Sequence, residues 1–218
     1  MKQLCVVVGF GAGNGLAIAK AFSREGHELA LIARSRAKKE NALAELEAAG
    51  ATAQLFEADA ADPKSLAAAF AEIRRDCGDP TLLIYNAFAM RMASPSATKP
   101  EDLVADFKSN VAGALGAVQQ VLPAMKAAQS GTIIFTGGAF ALDPMPRFAS
   151  VGVGKAALRN LAFSLAKELG PQGIHVGTVT IHGMVKEGTH FAPEKIAESF
   201  LELYRQPKES FTTEVDYR

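Results

Sequence analysis

The first chemistry that this sequence suggests is the binding of a phosphate group near its N-terminus. Gly9, Gly11, Gly13 and Gly15 fall within seven residues, with Asn14 among them, after an apolar run and before apolar residues at helical spacing. Glycine permits a tight turn and a close approach of the backbone to a pyrophosphate, and amides at a helix start attract anions. Because a second strand ends about twenty residues on, the pattern predicts a dinucleotide site rather than a plain strand-to-helix connection.

The end of that second predicted strand indicates which dinucleotide. A site for NAD would place Asp or Glu there to bind the ribose hydroxyls, but the sequence reads Arg34-Ser35-Arg36 and contains no acid at this point. Two guanidinium groups and a hydroxyl suit a 2′-phosphate, which they bind through charge-assisted hydrogen bonds. The alternative is a solvated basic helix start, which the helix dipole would disfavour. We therefore expect NADP as the cofactor.

The rest of the sequence alternates between strand-like and helix-like segments, judged by apolar runs and by helical spacing. The predicted strands cover residues 4–8, 28–33, 52–57, 80–85, 132–136, 174–180 and 211–217. The predicted helices cover residues 14–25, 37–49, 62–75, 100–128, 150–169 and 193–205, the third with Asp62 as its cap and Pro63 in its first turn. This alternation predicts one α/β domain, residues 1–218, with a doubly wound parallel sheet of about seven strands (a Rossmann fold) and helices on both faces.

The composition excludes several classes of partner. The chain is 49% hydrophobic and 21% charged, with a formal net charge of zero, which is typical of a soluble globular protein. It shows no basic stripe for nucleic acid and no apolar run long enough to span a membrane. Cys5 and Cys77 are far apart and in no metal or redox spacing, so we expect no metal site and a reducing, cytoplasmic location.

Over almost its whole length the chain resembles the short-chain dehydrogenase/reductase family. The spacing Gly9-x-x-x-Gly13-x-Gly15 is that family's form of the glycine turn, and Asp59-Ala60 resembles its pair beside the adenine. Further matches are Asn86-Ala87 after the fourth strand, Asn110 in the long helix, Lys155 of the Tyr-x-x-x-Lys motif, and His182-Gly183 in place of Pro-Gly after the sixth strand. The resemblance implies nucleotide contacts from the glycine turn and from Arg34, Ser35, Asp59, Ala60, Asn86, Ala87, Lys155, Gly183 and Val185.

Two positions depart from the family's pattern. Four residues before Lys155 the family places its catalytic tyrosine, and here that residue is Val151. Thirteen residues earlier still it places a serine, and here that residue is Gly138. The resemblance implies that the tyrosine transfers the proton, the lysine lowers its pKa and holds the ribose, the serine orients the carbonyl, and Asn110 supports a water near the lysine. This sequence therefore retains Lys155 and Asn110 and lacks the proton donor and the carbonyl clamp.

Three groups remain as substitutes for the missing acid: His182, Tyr85 and water. His182 ends the sixth strand, at the edge of the sheet that carries ligands, and its pKa range suits an acid, although a lone histidine is more often structural. Tyr85 ends the fourth strand, where packing beneath the cleft is the alternative role. Arg147, in the loop before Val151, either faces an anionic substrate or is simply solvated.

Two main functions follow, with a third kept open. The protein is an oxidoreductase acting on a small carbonyl or alcohol substrate with a substitute acid, or a binding protein that holds NADP(H) without chemistry. A non-redox enzyme that uses the dinucleotide structurally is the third.

Residues 185–192 form a much shorter substrate lid than the family's. The resemblance also implies that the helices around residues 106–125 and 151–169, apolar on more than one face, pair into a homodimer or homotetramer.

Overall fold

The computed structural model describes residues 3–37 and 39–218 of the chain. Met1 and Lys2, which belong to the predicted domain 1–218, and Lys38, which belongs to the helix predicted for residues 37–49, lie outside the described residues.

Seven strands of the described residues form one sheet, and every neighbouring pair in it is parallel. The strands are β1 (Leu4–Val8), β2 (Glu28–Ala33), β3 (Ala53–Glu57), β4 (Leu82–Tyr85), β5 (Gly131–Thr136), β6 (Ile174–Ile181) and β7 (Glu214–Tyr217). Their order across the sheet is β3-β2-β1-β4-β5-β6-β7, so the chain reverses its direction of winding between β1 and β4. Ligands of doubly wound sheets bind at such a switch point, at the carboxyl ends of the strands.

Seven α-helices cover the two faces of the sheet. Within the described residues they are α1 (Asn14–Arg24), α2 (Glu40–Ala48), α3 (Pro63–Asp76), α4 (Pro100–Phe107), α5 (Gly113–Ala128), α6 (Ala149–Leu169) and α7 (Pro193–Tyr204). One hydrophobic core lies between the sheet and α3, α5 and α6, and the other lies between the sheet and α1, α2 and α7. The doubly wound fold predicted from the sequence is therefore confirmed.

Local sequence explains most of the helix and strand boundaries. The side chain of Asp62 caps α3 by accepting a hydrogen bond of 2.9 Å from the amide of Lys64, and Pro63 opens the helix as predicted. The helix predicted from residue 37 begins only at Glu40, because Ala37 and Lys39 donate their amides to the Ser35 side chain and the Arg36 carbonyl in a turn.

Two other predicted elements differ from the structure. The single helix predicted for residues 100–128 is interrupted by a π-helical turn, Lys108–Ala112, between α4 and α5. The last strand begins at Glu214 rather than at residue 211, because Phe211 stacks on His175 at 4.1 Å between ring centroids and the Thr212 amide bonds to the side chain of Gln206. No helix in the described part of the chain is both long and apolar enough to cross a membrane.

Candidate functional site

In the glycine turn between β1 and α1, two glycines are closely packed against neighbouring backbone and two face open space. Gly9 has a φ of +90°, and a Cβ atom on it would overlap the backbone of Ala87. A Cβ on Gly15 would stand 2.9 Å from the Gly9 carbonyl oxygen, so these two glycines allow close packing. Gly11 and Gly13 have nothing within 4 Å of the corresponding point. Packing therefore requires glycine at 9 and 15 and leaves a free surface over 11 and 13.

The residues at this turn fit a dinucleotide phosphate. Gly13 is the N-cap residue of α1 and has no side chain to cap the helix. The amides of the first turn therefore have no capping side chain as a hydrogen-bond acceptor. The Asn14 Oδ1 atom is buried and has no hydrogen-bond partner. A buried amide of this kind requires a partner, and turning it would present its NH2 group to an anion. A phosphate over Gly11 and Gly13 would meet both needs.

The loop after β2 carries the charges that distinguish the two nicotinamide dinucleotides. Arg34, Ser35 and Arg36 are all exposed there. The β2–β3 register places Ala33 beside Glu57, and the Glu57 carboxylate accepts a hydrogen bond from the Arg36 amide. Glu57 is not found among the residues that follow β2 in the sequence, because it is the last residue of the neighbouring strand β3. Its signal in the sequence is that β3 ends at the same edge of the parallel sheet.

Asp59 and Ala60, which follow β3, form a turn that supports α5. The Asp59 carboxylate accepts a hydrogen bond of 2.9 Å from the Ala61 amide, and its own amide donates to the Ser65 hydroxyl at 3.1 Å. A Cβ atom on Gly113 would overlap the Ala60 carbonyl oxygen, so the first residue of α5 touches this turn. Both predicted nucleotide contacts therefore lie on a rigid turn at the carboxyl edge.

Asn86 joins the ends of three neighbouring strands. Its amide nitrogen Nδ2 donates to the Gly9 carbonyl oxygen at 3.0 Å, and its Oδ1 accepts from the Thr136 hydroxyl at 2.9 Å. Its backbone amide donates to Val8 at 2.8 Å. Because both the Nδ2 and the Oδ1 atoms of Asn86 are hydrogen bonded, its side chain links the carboxyl ends of β1, β4 and β5. The next residue, Ala87, packs on Gly9.

Asn110 lies in the π-helical turn and is buried, with 4% of its surface exposed. Its Oδ1 accepts from the Ala89 amide at 2.6 Å, and its Nδ2 donates to the Ala89 carbonyl at 3.1 Å. A Cβ atom on Gly154 would stand 2.8 Å from Nδ2, so α6 approaches this side chain closely. The side chain therefore holds the loop after β4 against α6, and Asn110 is a buried residue rather than a surface one.

Lys155 projects from α6 to the end of β5. Its ammonium donates to the Thr136 carbonyl oxygen at 2.5 Å and lies 5.5 Å from the centre of the Phe88 ring. Burial lowers its pKa to about 8, because the desolvated site disfavours the charged form. Val151, one turn earlier on the helix, is 5% exposed and brings no polar atom.

Gly138 lies across from the stem of Lys155. A Cβ atom on it would stand 3.7 Å from the lysine Cε, which is an ordinary van der Waals distance. Its φ of −174° is extended backbone that any residue adopts. The structure therefore brings positions 138 and 155 together, with Val151 one turn before Lys155 on α6, and leaves room for a larger side chain at position 138.

The side chains considered as substitute acids are both engaged. Tyr85 is fully buried and its hydroxyl donates to the Ser109 carbonyl, while burial raises its pKa far above the usual value. This is the packing role that the sequence analysis kept as the alternative. His182 is hydrogen bonded through Nε2 to Asp216 at 2.7 Å, and this bond lowers the pKa of the Asp216 carboxyl. Sequence analysis could not find Asp216, because β7 joins β6 only in the folded sheet.

The predicted short lid is fastened to the end of the sheet. The ring of Phe191 occupies the space that a Cβ atom on Gly183 would need, and the Lys186 amide donates to the Phe191 carbonyl at 3.0 Å. The Tyr217 hydroxyl donates to the His190 carbonyl at 2.7 Å. Val185, which follows Gly183 by two residues, is 40% exposed. Arg147, in the loop after β5, is exposed.

A doubly wound parallel sheet with a glycine turn at its switch point defines a Rossmann-type nucleotide-binding protein. The family model described as short chain dehydrogenase matches residues 3–197. The chain therefore belongs to the short-chain dehydrogenase family, whose members are oxidoreductases that bind NAD or NADP.

Individual relatives agree with this assignment. The 2-(S)-hydroxypropyl-CoM dehydrogenase 3 of Xanthobacter autotrophicus is 31% identical over 200 residues, which cover 88% of this chain and 78% of that protein. A metagenomic short-chain oxidoreductase solved in complex with NADP superposes with a TM-score of 0.89 and 27% identity, over 98% of this chain and 95% of that one. A short-chain dehydrogenase from Rhodopseudomonas palustris superposes with a TM-score of 0.87 and 28% identity, over 99% and 98% of the two chains.

Proposed function

We propose that this protein is an NADP(H)-binding oxidoreductase of the short-chain type that acts on a small carbonyl or alcohol compound with a reduced catalytic set, Lys155 and Asn110. The observation that carries the proposal is the combination of an open glycine turn with a Lys155 whose stem approaches Gly138 and which has Val151, not a tyrosine, one turn earlier on α6. The expected consequence is slow turnover of ordinary ketones and aldehydes.

Binding of the cofactor is assigned to residues at the carboxyl edge of the sheet. The open faces of Gly11 and Gly13 and the unpartnered Asn14 amide receive the pyrophosphate. Arg34 and Ser35 receive the 2′-phosphate. The remaining contacts are assigned to Gly9, Gly15, Asp59, Ala60, Asn86, Ala87, Lys155, Gly183 and Val185. When bound, the nicotinamide supplies or accepts a hydride.

Lys155 has two roles in this proposal. Its ammonium uses one N–H on the Thr136 carbonyl, which leaves two donors for the ribose hydroxyls and the cleft. Its pKa of about 8 keeps most of it charged at pH 7. Asn110 supports it indirectly, by holding the loop after β4 against α6.

The two positions at which the family carries its proton donor and its carbonyl clamp hold no such group here. Val151 offers no acid and Gly138 offers no hydroxyl to orient a carbonyl oxygen. Loss of a general acid costs about 10²–10⁴ in rate, or about 3–5 kcal/mol of transition-state stabilisation. Reduction of a carbonyl would therefore be slow, with the hydride coming from a bound nicotinamide and the proton from water or from a substitute acid.

The lack of a hydroxyl group at Gly138 and Val151 also favours a second function, the binding of NADP(H) without chemistry. In that case the protein senses the nucleotide or assembles in response to it. The engagement of Tyr85 with Ser109 supports this alternative, because the buried hydroxyl of Tyr85 is not available as an acid. His182 stays open as a substitute acid, because its bond to Asp216 uses only Nε2.

Calorimetry and a turnover assay together separate these functions. We expect NADPH to bind more tightly than NADH in titration calorimetry, and equal affinities would refute the NADP assignment. NADPH fluorescence should then be followed with a panel of small aldehydes and ketones. Slow, protein-dependent oxidation supports the oxidoreductase, and binding without any turnover supports the non-catalytic protein.

Turnover near 10 per second, a common value for enzymes, would contradict the reduced catalytic set. A substitute acid would then be sought with His182→Ala and Tyr85→Phe. Loss of activity in one variant, with NADPH affinity retained, would identify it.

A further inference from the structure

The ammonium of Lys155 differs from that of an ordinary surface lysine in what surrounds it. One N–H donates to the Thr136 carbonyl oxygen at 2.5 Å, and the centre of the Phe88 ring lies 5.5 Å away. No carboxylate among the described residues forms an ion pair with it. A desolvated ammonium without a counter-charge is poorly stabilised in its charged form. Lys155 is thus placed to react as a neutral amine.

The charged and titratable side chains on the segments around Lys155 are bonded to other groups or exposed. The bonded ones are Arg159 with Glu214 at 2.6 Å, Arg91 with Asp102 at 3.2 Å and with Asp106 at 3.4 Å, His182 with Asp216 at 2.7 Å, and Tyr85 with the Ser109 carbonyl; the exposed ones are Asp143 and Arg147. Burial is therefore the cause of the lowered pKa of Lys155, about 8.

A lowered pKa increases the fraction of a lysine that can act as a nucleophile. At pH 8 about half of the Lys155 amine is neutral, against about one part in 300 for a lysine with the ordinary pKa of 10.5. Lysine amines that are desolvated in apolar surroundings form Schiff bases with carbonyl compounds. The surroundings of Lys155 therefore favour this chemistry.

A small molecule can reach the amine because its neighbours are small, apolar or exposed. The Lys155 side chain is itself partly exposed. On one side Gly138 has no side chain, and a Cβ atom there would still stand 3.7 Å from the lysine Cε. The Phe88 ring is 53% exposed, so it can turn away without opening a cavity in the core. Val151, one turn earlier, brings no polar atom that would bond to the amine.

We propose that Lys155 is a nucleophile that binds small aldehydes and unhindered ketones covalently, as an imine. This activity goes beyond the proposed function, in which the lysine contacts the ribose, and belongs to the protein without nucleotide. The neutral amine attacks the carbonyl carbon, a C–N bond forms, and the carbonyl oxygen takes up a proton to give a carbinolamine. The oxygen then leaves as water. Overall, the ammonium and the carbonyl compound become a protonated imine and one water, so no oxidant or reductant is consumed.

The nucleotide and the carbonyl compound should compete for the amine. In the proposed function, the two N–H groups of Lys155 that do not bond to Thr136 are available to the ribose hydroxyls. A protonated imine keeps a single N–H and carries the carbon skeleton of the aldehyde in place of the others. The ribose contact and the imine therefore exclude one another.

Reductive trapping with propanal and sodium cyanoborohydride tests the proposal on the native protein. The borohydride reduces an imine to a stable secondary amine, so each lysine that reacted keeps a propyl group. Peptide mass spectrometry after a short reaction at pH 8 measures the labelled fraction of each lysine. We expect Lys155 to be labelled at least about tenfold faster than Lys64, an exposed lysine of α3.

Two variants assign the fast labelling to one amine. Lys155→Met should abolish the rapidly labelled fraction in the intact mass of the protein, because methionine has no amine. Lys64→Met removes one exposed lysine and is the matched control, which should retain that fraction. Circular dichroism checks that both variants are folded, and the peptide map of the native protein gives the same assignment without any substitution.

The contrary results are distinct for this proposal and for the proposed function. Labelling of Lys155 no faster than that of Lys64, or rapid labelling that persists in folded Lys155→Met, overturns the imine. Saturating NADP⁺ should protect Lys155 and leave Lys64 unprotected. If NADP⁺ binds in calorimetry without protecting Lys155, the ribose contact is overturned and the imine stands. Failure of NADP⁺ to bind the native protein overturns the proposed function instead.

Discussion

Gly138 lies in van der Waals contact range of the Lys155 stem, with 3.7 Å between a Cβ atom built on the glycine and the lysine Cε. The two residues come from different elements, the loop after β5 and the helix α6, and meet at the carboxyl edge of the sheet. The ammonium of Lys155 is desolvated at this place, and Gly138 offers no hydroxyl group beside it. This relationship underlies the first two predictions.

The double variant Gly138→Ser with Val151→Tyr should create or strongly increase NADPH-dependent carbonyl reduction. Serine fits at 138 because the backbone there is extended and the atoms nearest to the new Cβ, on the lysine stem, are at ordinary van der Waals distances. The tyrosine would stand one turn before Lys155, whose positive charge lowers the pKa of a nearby phenol. We expect a rise of about 10²-fold or more in NADPH oxidation.

Each single variant controls for this gain. Groups that act as a unit gain little alone, so the two increases should be far from additive. A folded double variant that binds NADPH and shows no increase would refute the assignment of positions 138 and 151.

Lys155→Met should stabilise the protein and weaken its binding of NADPH. Burial lowers the pKa of Lys155 to about 8 from its ordinary 10.5, so below pH 8 the folded state carries an unfavourable buried charge. Between pH 8 and 10.5 the unfolded chain still holds a proton that the folded protein has released, and stability rises with pH. Methionine keeps the apolar stem and removes the penalty, which gives about 1–3 kcal/mol at pH 7.

Urea denaturation at pH 7 and pH 10 measures this effect. The gain should shrink at pH 10, where the native lysine is largely neutral. Lys64→Met, at an exposed position of α3, is the control and should not alter the pH dependence. A Lys155→Met protein less stable than the native one at pH 7 would contradict the prediction.

Arg34→Asp should abolish most of the preference for NADPH over NADH, because it removes a cation and adds a charge that repels the 2′-phosphate. Glu57→Gln should act in the opposite direction. The glutamine oxygen can still accept the Arg36 amide, as the carboxylate does, but the negative charge beside the phosphate is gone. At about 1 kcal/mol for close charges in water, we expect NADPH affinity to rise about two- to fivefold.

Titration calorimetry with NADPH and NADH measures both variants. Glu72→Gln, an exposed carboxylate of α3, controls for the change in net charge. If Glu57→Gln strengthens NADH as much as NADPH, the 2′-phosphate does not lie beside this loop.

The helices α4, α5 and α6 should form the contact between subunits. They expose Val104, Phe107, Leu115 and Val153, by 56, 38, 37 and 48%, on the outside of the domain. We expect light scattering to give a dimer or tetramer of the 23.0 kDa chain, and Leu115→Glu with Val153→Glu to give a monomer. A native monomer at micromolar concentration would count against this contact.

Most of the fold could be predicted from the sequence, because the evidence for it is local. Each buried strand is a run of apolar residues and each helix has helical spacing, so periodicity alone indicates a βα alternation. Asp62-Pro63 shows its cap in the sequence, and Gly9 and Gly15 are required by backbone geometry and close packing at their turn. The spacing of positions 138 and 155 relative to β5 and α6 also agrees with their approach in the structure.

Other features depended on which strands become neighbours, and only the tertiary structure decided them. Glu57 reaches the Arg36 amide because β3 pairs with β2, and Asp216 reaches His182 because β7 pairs with β6. The π-helical turn that brings Asn110 onto Ala89 depends on a loop 21 residues away in sequence. Hydrogen bonds and desolvation act over a few ångströms in space, so the partner of a polar group, and the shifted pKa of Lys155, follow from packing between distant segments rather than from the residue's neighbours in the chain.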